Sequence, residues 1–327
     1  MSSSTALAAV GESAVAGDNL RRPRGPRRRP GRKPGLAPLW LLTPAGIVII
    51  ALIIVPMIFL IFTSFTDFDQ RSLFTGEFNF VGLSQYAAVF VDPAFWWALV
   101  RTILFTAAMV AGSVFVGMAV SQLLLKLNTA MRYVVTIVLV LAWAMPNVAS
   151  SQVWLWLFQP GYGVVNWLLT QLKIFGNVTN VNWAQSSSLA FVCIWMLIVW
   201  QAVPFIALTL YAAQTQLSPE YLEAARLDGA SEWRVYWQVI VPFLRPTILL
   251  MTILSIIWDF NVFNQIWLIS QGGPGSATTT LGIYTYQSAF VGFDIGNGSA
   301  IAIVTTILLL IFSGFYIRSL IRSGEDL

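Results

Sequence analysis

The sequence predicts an all-α protein that crosses a membrane six times, and two features of its composition support this fold class. Hydrophobic residues make up 57% of the 327 residues, whereas charged residues make up only 10%. A soluble domain of this size carries about a quarter charged residues. The apolar residues also fall into blocks of roughly 20 or more, the length that a helix needs to cross a bilayer. Short segments connect these blocks, so the length is used for spans rather than for soluble domains.

Six apolar blocks define the predicted spans. The first block is too long for a secretory signal, and no small-residue cleavage site follows it, so we expect an uncleaved membrane anchor. This first helix, within residues 39–65, is expected to lie at the periphery, and residues 95–325 are expected to form a core of five spans. The predicted spans are Leu39–Phe62, Ala98–Leu125, Val134–Phe158, Leu189–Ala213, Thr247–Ile269 and Ser299–Ile321.

A basic segment precedes the first span. Residues 1–20 are rich in Ser, Ala and Gly, and residues 21–34 read RRPRGPRRRPGRKP, with eight positive charges and no negative charge. Because Pro and Gly interrupt the run, we expect residues 1–38 to form a disordered cytoplasmic tail rather than a helix. Two interpretations apply, a nucleic-acid- or lipid-binding element or a topogenic signal beside anionic lipid. The adjacent span favours the second interpretation, with membrane lipid and not nucleic acid as the partner.

The distribution of Lys and Arg predicts the orientation of the chain. With the N-terminus in the cytoplasm, 15 of the 18 basic residues lie on the cytoplasmic side, and only Arg71, Arg101 and Lys173 lie outside. The opposite orientation reverses this ratio and violates the positive-inside rule. We therefore expect a multi-pass protein of a bacterial plasma membrane with both termini in the cytoplasm.

The residues that most enzymes need are missing from this sequence. It has no His and one Cys, Cys193, which lies inside an apolar block and is expected to serve packing. Without His, the sequence lacks the commonest general base and the commonest metal ligand. It also has no GxxxxGK[ST] loop for the phosphates of ATP. We therefore expect no enzyme activity, no metal site and no cofactor bound by this chain itself.

The segment between the fourth and fifth spans, residues 214–246, predicts two short cytoplasmic helices joined by a tight turn. Ser218 caps the first helix, and Pro219 is its first residue. Gly229 ends this helix, because Gly adopts the left-handed conformation that follows a helix C-terminus.

The second helix of this segment is expected to begin after Ser231 and to stop at Pro242 near the membrane. Its apolar face is formed by residues at helical spacing, Trp233, Tyr236, Trp237 and Ile240. From the pattern alone, the pair of helices is either an interfacial connector between two spans or a projection that docks into a groove of a partner.

The run from Glu223 to Pro242 resembles the EAA motif of the permease subunits of binding-protein-dependent ABC importers. It reads EAARLDGA from Glu223, and Trp233 and the Ile-Val-Pro ending follow at the matching spacing. The resemblance implies that the first helix inserts into a cleft of a separate ATPase subunit, which binds ATP and Mg²⁺, and couples its closure to gate opening. The residues implied to carry this coupling are Glu223, Ala224, Ala225, Asp228 and Gly229.

A second resemblance concerns the fifth span and the segment after it, WDFNVFNQIWLISQGGPGSATTTLGIYTYQSAF. It is similar to the sugar-permease branch related to the maltose and glycerol-phosphate importers, in which an aromatic, Asn-rich helix ends in a Gly-Gly-Pro loop. The similarity covers about residues 39–325 and is closest to the larger of two permeases. It implies a type I ABC importer permease fold and sugar import. It also implies a second homologous permease, two ATPase subunits and an extracytoplasmic sugar-binding protein as partners.

The fifth span holds Asp259, the only acidic residue well inside any predicted span. Ionisable groups within a membrane usually face a polar cavity or a partner. Helical spacing places Ser255, Asp259 and Val262 on one face with Trp258. A sugar site needs hydrogen-bonding groups and aromatic rings, and this segment supplies both. Its candidate substrate residues are Trp258, Asp259, Asn261, Asn264 and Gln265, of which the resemblance implies Trp258, Asp259 and Asn264 as sugar contacts.

Other polar residues of the spans are further candidates. The fourth span contributes Trp200 and Gln201, and Pro204 is expected to kink this helix and free a carbonyl. The third span contributes Asn147, Ser150 and Ser151 as weaker candidates. The alternative for all of these groups is that they pair with one another between helices and serve packing.

Two alternatives to sugar import stay open from the sequence. The chain could be an importer permease for another solute such as glycerol phosphate or an amino acid, although Asp259 disfavours an anionic ligand and the Gly-Gly-Pro loop disfavours amino acids. It could also be a membrane anchor that recruits nucleic acid through its basic tail. Deletion of residues 1–34 separates the two classes, because an importer should keep uptake and an anchor should lose its function.

Overall fold

The computed structural model of the chain describes residues 37–173 and 175–322. The basic segment 21–34 and the predicted disorder of residues 1–36 lie outside this range. The described residues form helices and turns without a β-strand, apart from two isolated antiparallel bridges, Thr66–Phe80 and Asp69–Asp294. The predicted all-α class is confirmed.

The helices of the described ranges vary from four to 34 residues in length. In chain order, the α-helices are α1 (Ala37–Ile49), α2 (Val55–Thr63), α3 (Gln70–Thr75), α4 (Ser84–Val91), α5 (Pro93–Lys126), α6 (Thr129–Ala144), α7 (Asn147–Leu157), α8 (Val164–Gln171), α9 (Ser187–Gln214), α10 (Pro219–Leu227), α11 (Glu232–Val235), α12 (Val241–Phe260), α13 (Asn264–Ser270), α14 (Leu281–Tyr286) and α15 (Ile295–Arg322). Three π-helical segments are Ile50–Ile54, Tyr236–Ile240 and Gln287–Val291, and one short 3₁₀ turn is Trp183–Gln185.

The chain divides into two compact units, one that ends at Val55 and one that begins at Pro56. In the first unit, the described residues form α1 and the π-helical segment that follows it. The second unit holds the remaining helices and all the candidate site residues. The division expected from the sequence, into a tail over 1–38, a first helix over 39–65 and a core over 95–325, stays a prediction.

Five helices of the described residues are long and apolar enough to cross a membrane: Leu42–Thr63, Pro93–Lys126, Ser187–Gln214, Glu232–Phe260 and Ile295–Arg318. They correspond to five of the six predicted spans. The remaining predicted span is the bent pair α6 and α7, and counting this pair as one span gives six.

The predicted third span, Val134–Phe158, is not a continuous helix. It is broken between Ala144 and Asn147, where α6 and α7 meet at an angle of 103°. Pro146 causes the break, because it has no N–H to donate and it disfavours the helical conformation of the residue before it. Met145 accordingly adopts an extended conformation, with φ −67° and ψ 129°.

The predicted fifth span, Thr247–Ile269, is wrong at both ends. The helix starts at Glu232 and continues past Pro242, which was expected to stop it. A π-helical turn, Tyr236–Ile240, precedes this proline. Its wider turn makes room for a ring that would otherwise clash with the preceding turn. The helix ends at Phe260, where the Asn261 amide donates to the Ile257 carbonyl at 3.0 Å and competes with continued helix.

The most extensive helix packing in the second unit is between α5 and α9. Gly117 of α5 permits this close approach, since a Cβ there would lie 2.6 Å from the Ile206 side chain. Buried apolar residues of α9, including Ile194, Leu197 and Leu210, form the centre of the core. The α5–α9 pair therefore provides the frame against which α7, α12 and α13 are placed.

Candidate functional site

The segment between α9 and α12 forms the predicted pair of helices joined by a tight turn, here called the elbow (residues 218–235). Pro219 is the first residue of α10, and Gly229 follows the helix with φ +81°. The N–H groups of Gly229 and Ala230 donate to the carbonyls of Arg226 and Ala225, both at 3.0 Å. This pair of bonds is the Schellman pattern, which needs a left-handed residue at the glycine position. The predicted role of Gly229 in the turn is confirmed.

Side chains also stabilise the elbow. Ser231 caps α11 by accepting a hydrogen bond from the Arg234 N–H at 3.4 Å, as predicted. Arg226 and Glu232 form an ion pair across the turn, with Nε–Oε1 and Nη2–Oε2 distances of 2.7 and 3.2 Å. The expectation that Ser218 caps α10 through its side chain is wrong. Ser218 occupies the cap position, but its hydroxyl makes no capping bond.

The outer face of α10 projects away from the rest of the second unit. Glu223, Ala224 and Asp228 are exposed, and Leu227 is 88% exposed. Ala225 lies on the opposite face and packs against the cluster of Val235, Ile240 and Leu244, which holds the elbow to α12. Four of the five predicted coupling residues are therefore exposed for contact with a partner, whereas Ala225 supports the elbow from inside. Leu227 was not a candidate in the sequence, although an exposed leucine beside small residues suits a protein interface.

The apolar face predicted for the second elbow helix is only partly buried. Ile240 is buried, but Trp233 and Trp237 are 73% and 38% exposed and pack edge to face on each other, with ring centroids 5.5 Å apart. The buried face runs instead through Val235, Ile240 and Leu244. The π-helical turn at Tyr236–Ile240 changes the angular spacing, so the 3.6-residue period places the tryptophans incorrectly.

At the far end of α12 from the elbow, a cavity of about 470 Å³ opens between α6, α7, α9, α12 and α13. Its volume lies within the range of sites for small ligands. Six of the seven substrate candidates named from the sequence line it, namely Gln201, Trp258, Asp259, Asn261, Asn264 and Gln265. The other lining residues are Trp143, Asn147, Ile198, Ala202, Phe205, Ile206, Ser255, Ile257, Val262 and Phe263.

Three aromatic rings form one wall of this cavity. Phe205 stacks on Trp143 with ring centroids 5.8 Å apart, and it also contacts Trp258 at 5.6 Å. Trp143 and Trp258 are 54% and 53% exposed, so both present a ring surface to a ligand. Trp143 and Phe205 were missed in the sequence because nothing in an apolar span marks which aromatic residue faces a cavity.

Amide side chains form another part of the lining. The Gln265 amide donates to Gln201 Oε1 at 3.2 Å, and Gln201 donates to Asn147 Oδ1 and Ser150 Oγ at 3.2 and 3.1 Å. This network joins α13, α9 and α7 and satisfies part of the hydrogen-bonding capacity of each amide. Gln265 and Ser150 are buried, whereas Asn147 and Asn264 remain exposed. The geometry therefore supports two interpretations of these residues. They pair with one another between helices, and they offer hydrogen-bonding groups to a ligand.

Asp259 lies on the cavity-facing side of α12 with Ser255 and Trp258, as the helical spacing predicts. Val262 also lines the cavity, but it follows the end of the helix at Phe260. It is 7% exposed, and its Oδ2 atom is buried without a hydrogen-bond partner among the described residues. The described lining residues include no Lys or Arg. The cavity therefore presents an acidic group whose charge is not balanced by the residues around it.

Several candidates lie outside the cavity. Trp200 packs against Trp154, with ring centroids 5.3 Å apart, in the core between α7 and α9. Ser151 donates to the Asn147 carbonyl within α7 at 2.7 Å. Pro204 is buried within α9, which continues as helix to Gln214. The structure therefore separates these three residues from the cavity lining.

The Gly-Gly-Pro loop and the segment after it lie in the core beyond α13. Thr278, Thr279 and Thr280 are buried, and Thr278 Oγ1 lies 2.7 Å from the Ser270 hydroxyl. Tyr284 donates a hydrogen bond to the Asp92 carboxylate. These contacts tie the end of α13 to the segment before α5, so this part of the motif supports the cavity from outside rather than lining it.

A second cavity of about 520 Å³ lies between α5, α12 and α15. Its lining is almost entirely apolar and includes Phe115, Ile256 and Phe312. A site of this kind suits an acyl chain or an apolar helix better than a hydroxylated ligand, which needs several hydrogen-bonding groups. The polar cavity around Asp259 is therefore the candidate substrate site.

Comparison with known proteins identifies the family. Residues 109–324 match the family of binding-protein-dependent transport system inner membrane components. The chain is 38% identical to the diacetylchitobiose uptake system permease protein DasB of Streptomyces coelicolor, over 92% of each protein. It is 33% identical to the sulfoquinovosyl glycerol transport system permease protein SmoG of Agrobacterium fabrum, over 87% of this chain and 90% of the relative.

A solved structure has the same fold. A chain of the bacterial alginate ABC transporter, crystallised with an alginate-pentasaccharide-bound periplasmic protein, superposes with a TM-score of 0.74 at 18% identity. The superposition covers 89% of this chain and 97% of that chain. It confirms the type I ABC importer permease fold, and the family consists of transport components rather than enzymes. The chain belongs to the family of inner membrane components of binding-protein-dependent transport systems.

Proposed function

We propose that this chain is the transmembrane permease subunit of an ATP-driven importer for a di- or oligosaccharide. The observation that carries the proposal is the cavity in which Trp143, Phe205 and Trp258 face amide and carboxylate groups. Sugars offer hydroxyls to polar side chains and apolar ring faces to aromatic side chains, so this combination matches their chemistry. The name of the Streptomyces coelicolor relative, which refers to diacetylchitobiose, supports the same substrate class, and the name of the Agrobacterium fabrum relative refers to another glycoside, sulfoquinovosyl glycerol.

The charge of the cavity disfavours the alternative solutes. Glycerol phosphate is an anion, and the described lining offers Asp259 but no Lys or Arg to bind a phosphate group. An amino acid would likewise leave its carboxylate without a basic partner. The geometry therefore favours a sugar without an acidic group.

The elbow supports docking to a separate ATPase. Its outer face combines small side chains with Leu227, and its shape is fixed by the Schellman bonds and by the Arg226–Glu232 pair. A rigid projection with a small-residue face fits closely into a groove, which is one recurring mode of recognition. ATP and Mg²⁺ would bind to the partner ATPase, since this sequence has no phosphate-binding loop.

The complete importer is proposed to contain a second homologous permease, two ATPase subunits and an extracytoplasmic sugar-binding protein. The positive-inside distribution supports a cytoplasmic position for the elbow and for both termini. Sugar would enter from the outside. ATP and the loaded binding protein would shift the permeases between inward-facing and outward-facing states through their different affinities for these states.

The test is a tagged purification in mild detergent with identification of the bound subunits. Leu227→Asp places a charge in the proposed docking face without touching the fold of this chain, because the side chain is 88% exposed. Leu83→Asp is the matched control, since Leu83 is 68% exposed and lies just before α4, far along the chain from the elbow. We expect the wild type and the control to retain an ATPase and a second permease, and the Leu227 variant to lose the ATPase.

Sugar transport is tested on the same preparation after reconstitution into liposomes. We expect ATP hydrolysis to rise when the sugar-loaded binding protein is added, and the Leu227 variant to lose this rise. A wild-type chain that purifies without an ATPase in every detergent, or a Leu227 variant that keeps it, would contradict the docking assignment. ATP hydrolysis that responds to a loaded amino-acid-binding protein, and to no sugar-binding protein, would contradict the substrate class.

A further inference from the structure

Among the described residues, the lining of the cavity includes one ionisable side chain, Asp259, and no Lys or Arg. Asp259 is only 7% exposed, and it lines the cavity. Its Oδ2 atom has no hydrogen-bond partner among the described residues. The neighbouring amides of Gln201 and Gln265 are bonded to each other rather than to this carboxylate. Asp259 therefore has hydrogen-bonding capacity that no described residue of this chain uses.

The elements packed against Asp259 contribute no other charged or titratable side chain to the cavity. The lining from α6, α7, α9 and α13 consists of aromatic, aliphatic and amide residues. Arg101 of α5, which packs against α12, is not among the lining residues, and neither is Arg245 near the start of α12. Asp259 is thus the sole source of formal charge that the described part of this chain presents to a ligand there.

A ligand that balances this carboxylate should bring a positive charge as well as hydrogen-bond donors. An unpaired carboxylate in a low-dielectric site is strongly disfavoured, and pairing with a hydrogen-bonded cation offsets the penalty. Sugar hydroxyls donate hydrogen bonds but carry no charge. A protonated amine on a sugar ring supplies three donors and one positive charge from a single substituent.

We propose that the importer carries a di- or oligosaccharide with a free amino group, whose ammonium binds the Asp259 carboxylate. This inference rests on the proposed function in sugar import and names the substrate class of the same cavity. The aromatic wall fits this ligand, because Trp258 adjoins Asp259 in the chain and also lines the cavity. The ring of Trp258 contributes a face for the sugar and a cation–π contact for the ammonium.

The experiment compares three β-1,4-linked disaccharides that differ only at C2, which carries an amine, an N-acetyl group or a hydroxyl. The reconstituted importer contains both permeases, the ATPases and the binding protein. The affinity of the isolated binding protein for each sugar is measured first by calorimetry, so that delivery can be separated from passage through the permease. Transport into proteoliposomes is then compared at equal occupancy of the binding protein for wild type, Asp259→Asn and Asp259→Glu.

We expect the wild type to transport the amine-bearing disaccharide about tenfold faster than the other two at equal occupancy, a preference of about 1.4 kcal/mol. Asp259→Asn keeps the size of the side chain but removes its charge, so the ratio of amine-sugar transport to hydroxyl-sugar transport should fall from about ten to about one. Asp259→Glu keeps the charge and should retain part of the preference. Asn264→Ala is the comparison inside the same cavity, and it should lower transport of all three sugars alike, because Asn264 carries no charge.

Three results would overturn the proposal. Asp259→Asn could lower the transport of all three sugars equally, which would make Asp259 an acceptor for hydroxyls or a partner of a basic residue in the second permease. The binding protein could fail to bind the amine-bearing disaccharide, in which case the importer is never supplied with it. Asp259→Asn could also keep the preference for the amine-bearing disaccharide. If the proposed function in sugar import is wrong, no disaccharide drives uptake or ATP hydrolysis in the wild type. This outcome is distinct from the three results above.

Discussion

The conformation of Gly229 allows a quantitative prediction for the elbow. Its φ of +81° lies in the left-handed region, and a Cβ placed there would meet nothing within 4 Å. Replacement by alanine therefore adds no clash within this chain and acts through the backbone alone. Left-handed backbone costs a residue with a side chain about 1–2 kcal/mol. A penalty of that size lowers the ratio of bent to unbent elbows by about 5–30-fold, and this factor is the upper bound on the loss of affinity for the ATPase.

The assay is a titration of the purified ATPase subunit into the permease pair held in nanodiscs, with Kd as the readout. Gly229→Ala should raise Kd by a factor of at most about 5–30, the bound set by the backbone penalty. Gly229→Asn should raise it less, because asparagine tolerates the left-handed region better than alanine. Gly76→Ala is the matched control, since Gly76 has φ +73°, is also surrounded by open space and ends α3 rather than the elbow.

Three results would refute this reasoning. An unchanged Kd for Gly229→Ala would mean that the bent conformation is not needed for docking. Equal losses for Gly229→Asn and Gly229→Ala would mean that any side chain clashes with the bound partner, so that the backbone penalty is not the cause. A loss with Gly76→Ala as large as that with Gly229→Ala would point to a general loss of stability and would contradict the local explanation.

Two further predictions concern stability. Asn166, which is buried, donates to loop carbonyls and accepts a 2.6 Å hydrogen bond from Trp183 Nε1, so Asn166→Ala should lower the free energy of unfolding by about 1–3 kcal/mol. A melting temperature in detergent equal to that of the wild type would contradict this. Gly117→Val places a side chain against Ile206 and should destabilise the α5–α9 contact by about 1–3 kcal/mol. Gly314→Ala in α15, where a Cβ meets nothing within 4 Å, is its control and should keep the wild-type melting temperature.

The parts of the fold that follow from local chemistry could be predicted from the sequence. Pro219 begins α10 and Gly229 ends it, because one fixes a helical φ and the other permits a left-handed one. Asp259 was identified correctly as a residue that lines a cavity, because an isolated acidic group in an apolar span has few other places to lie. These features depend on one or two residues and need no knowledge of the neighbouring helices.

The parts that depend on tertiary packing could not be predicted in the same way. Trp143 and Phe205 line the cavity, and Trp200 packs in the core, although all three are aromatic residues in apolar helices. Helical periodicity cannot distinguish these positions, because every face of a span is apolar whether it meets lipid, protein or a cavity. The break at Pro146 did carry a signal in the sequence, namely the preference of the residue before proline for extended backbone.

The continuity of the helix from Glu232 to Phe260 links the two candidate sites more directly than the sequence indicated. If Pro242 had ended the elbow helix, a flexible joint would separate the elbow from Asp259. Because the π-helical turn lets the helix continue, 29 residues form one element of about 42 Å between the docking face and the cavity. If an ATPase docks on the elbow as proposed, a displacement of the elbow moves Trp258 and Asp259 with it. The cavity wall on α6, α7 and α9 belongs to other helices, so such a displacement changes the distance between Trp258 and the Trp143–Phe205 pair. A ligand between these rings would bind tightly in one position of the helix Glu232–Phe260 and weakly in the other.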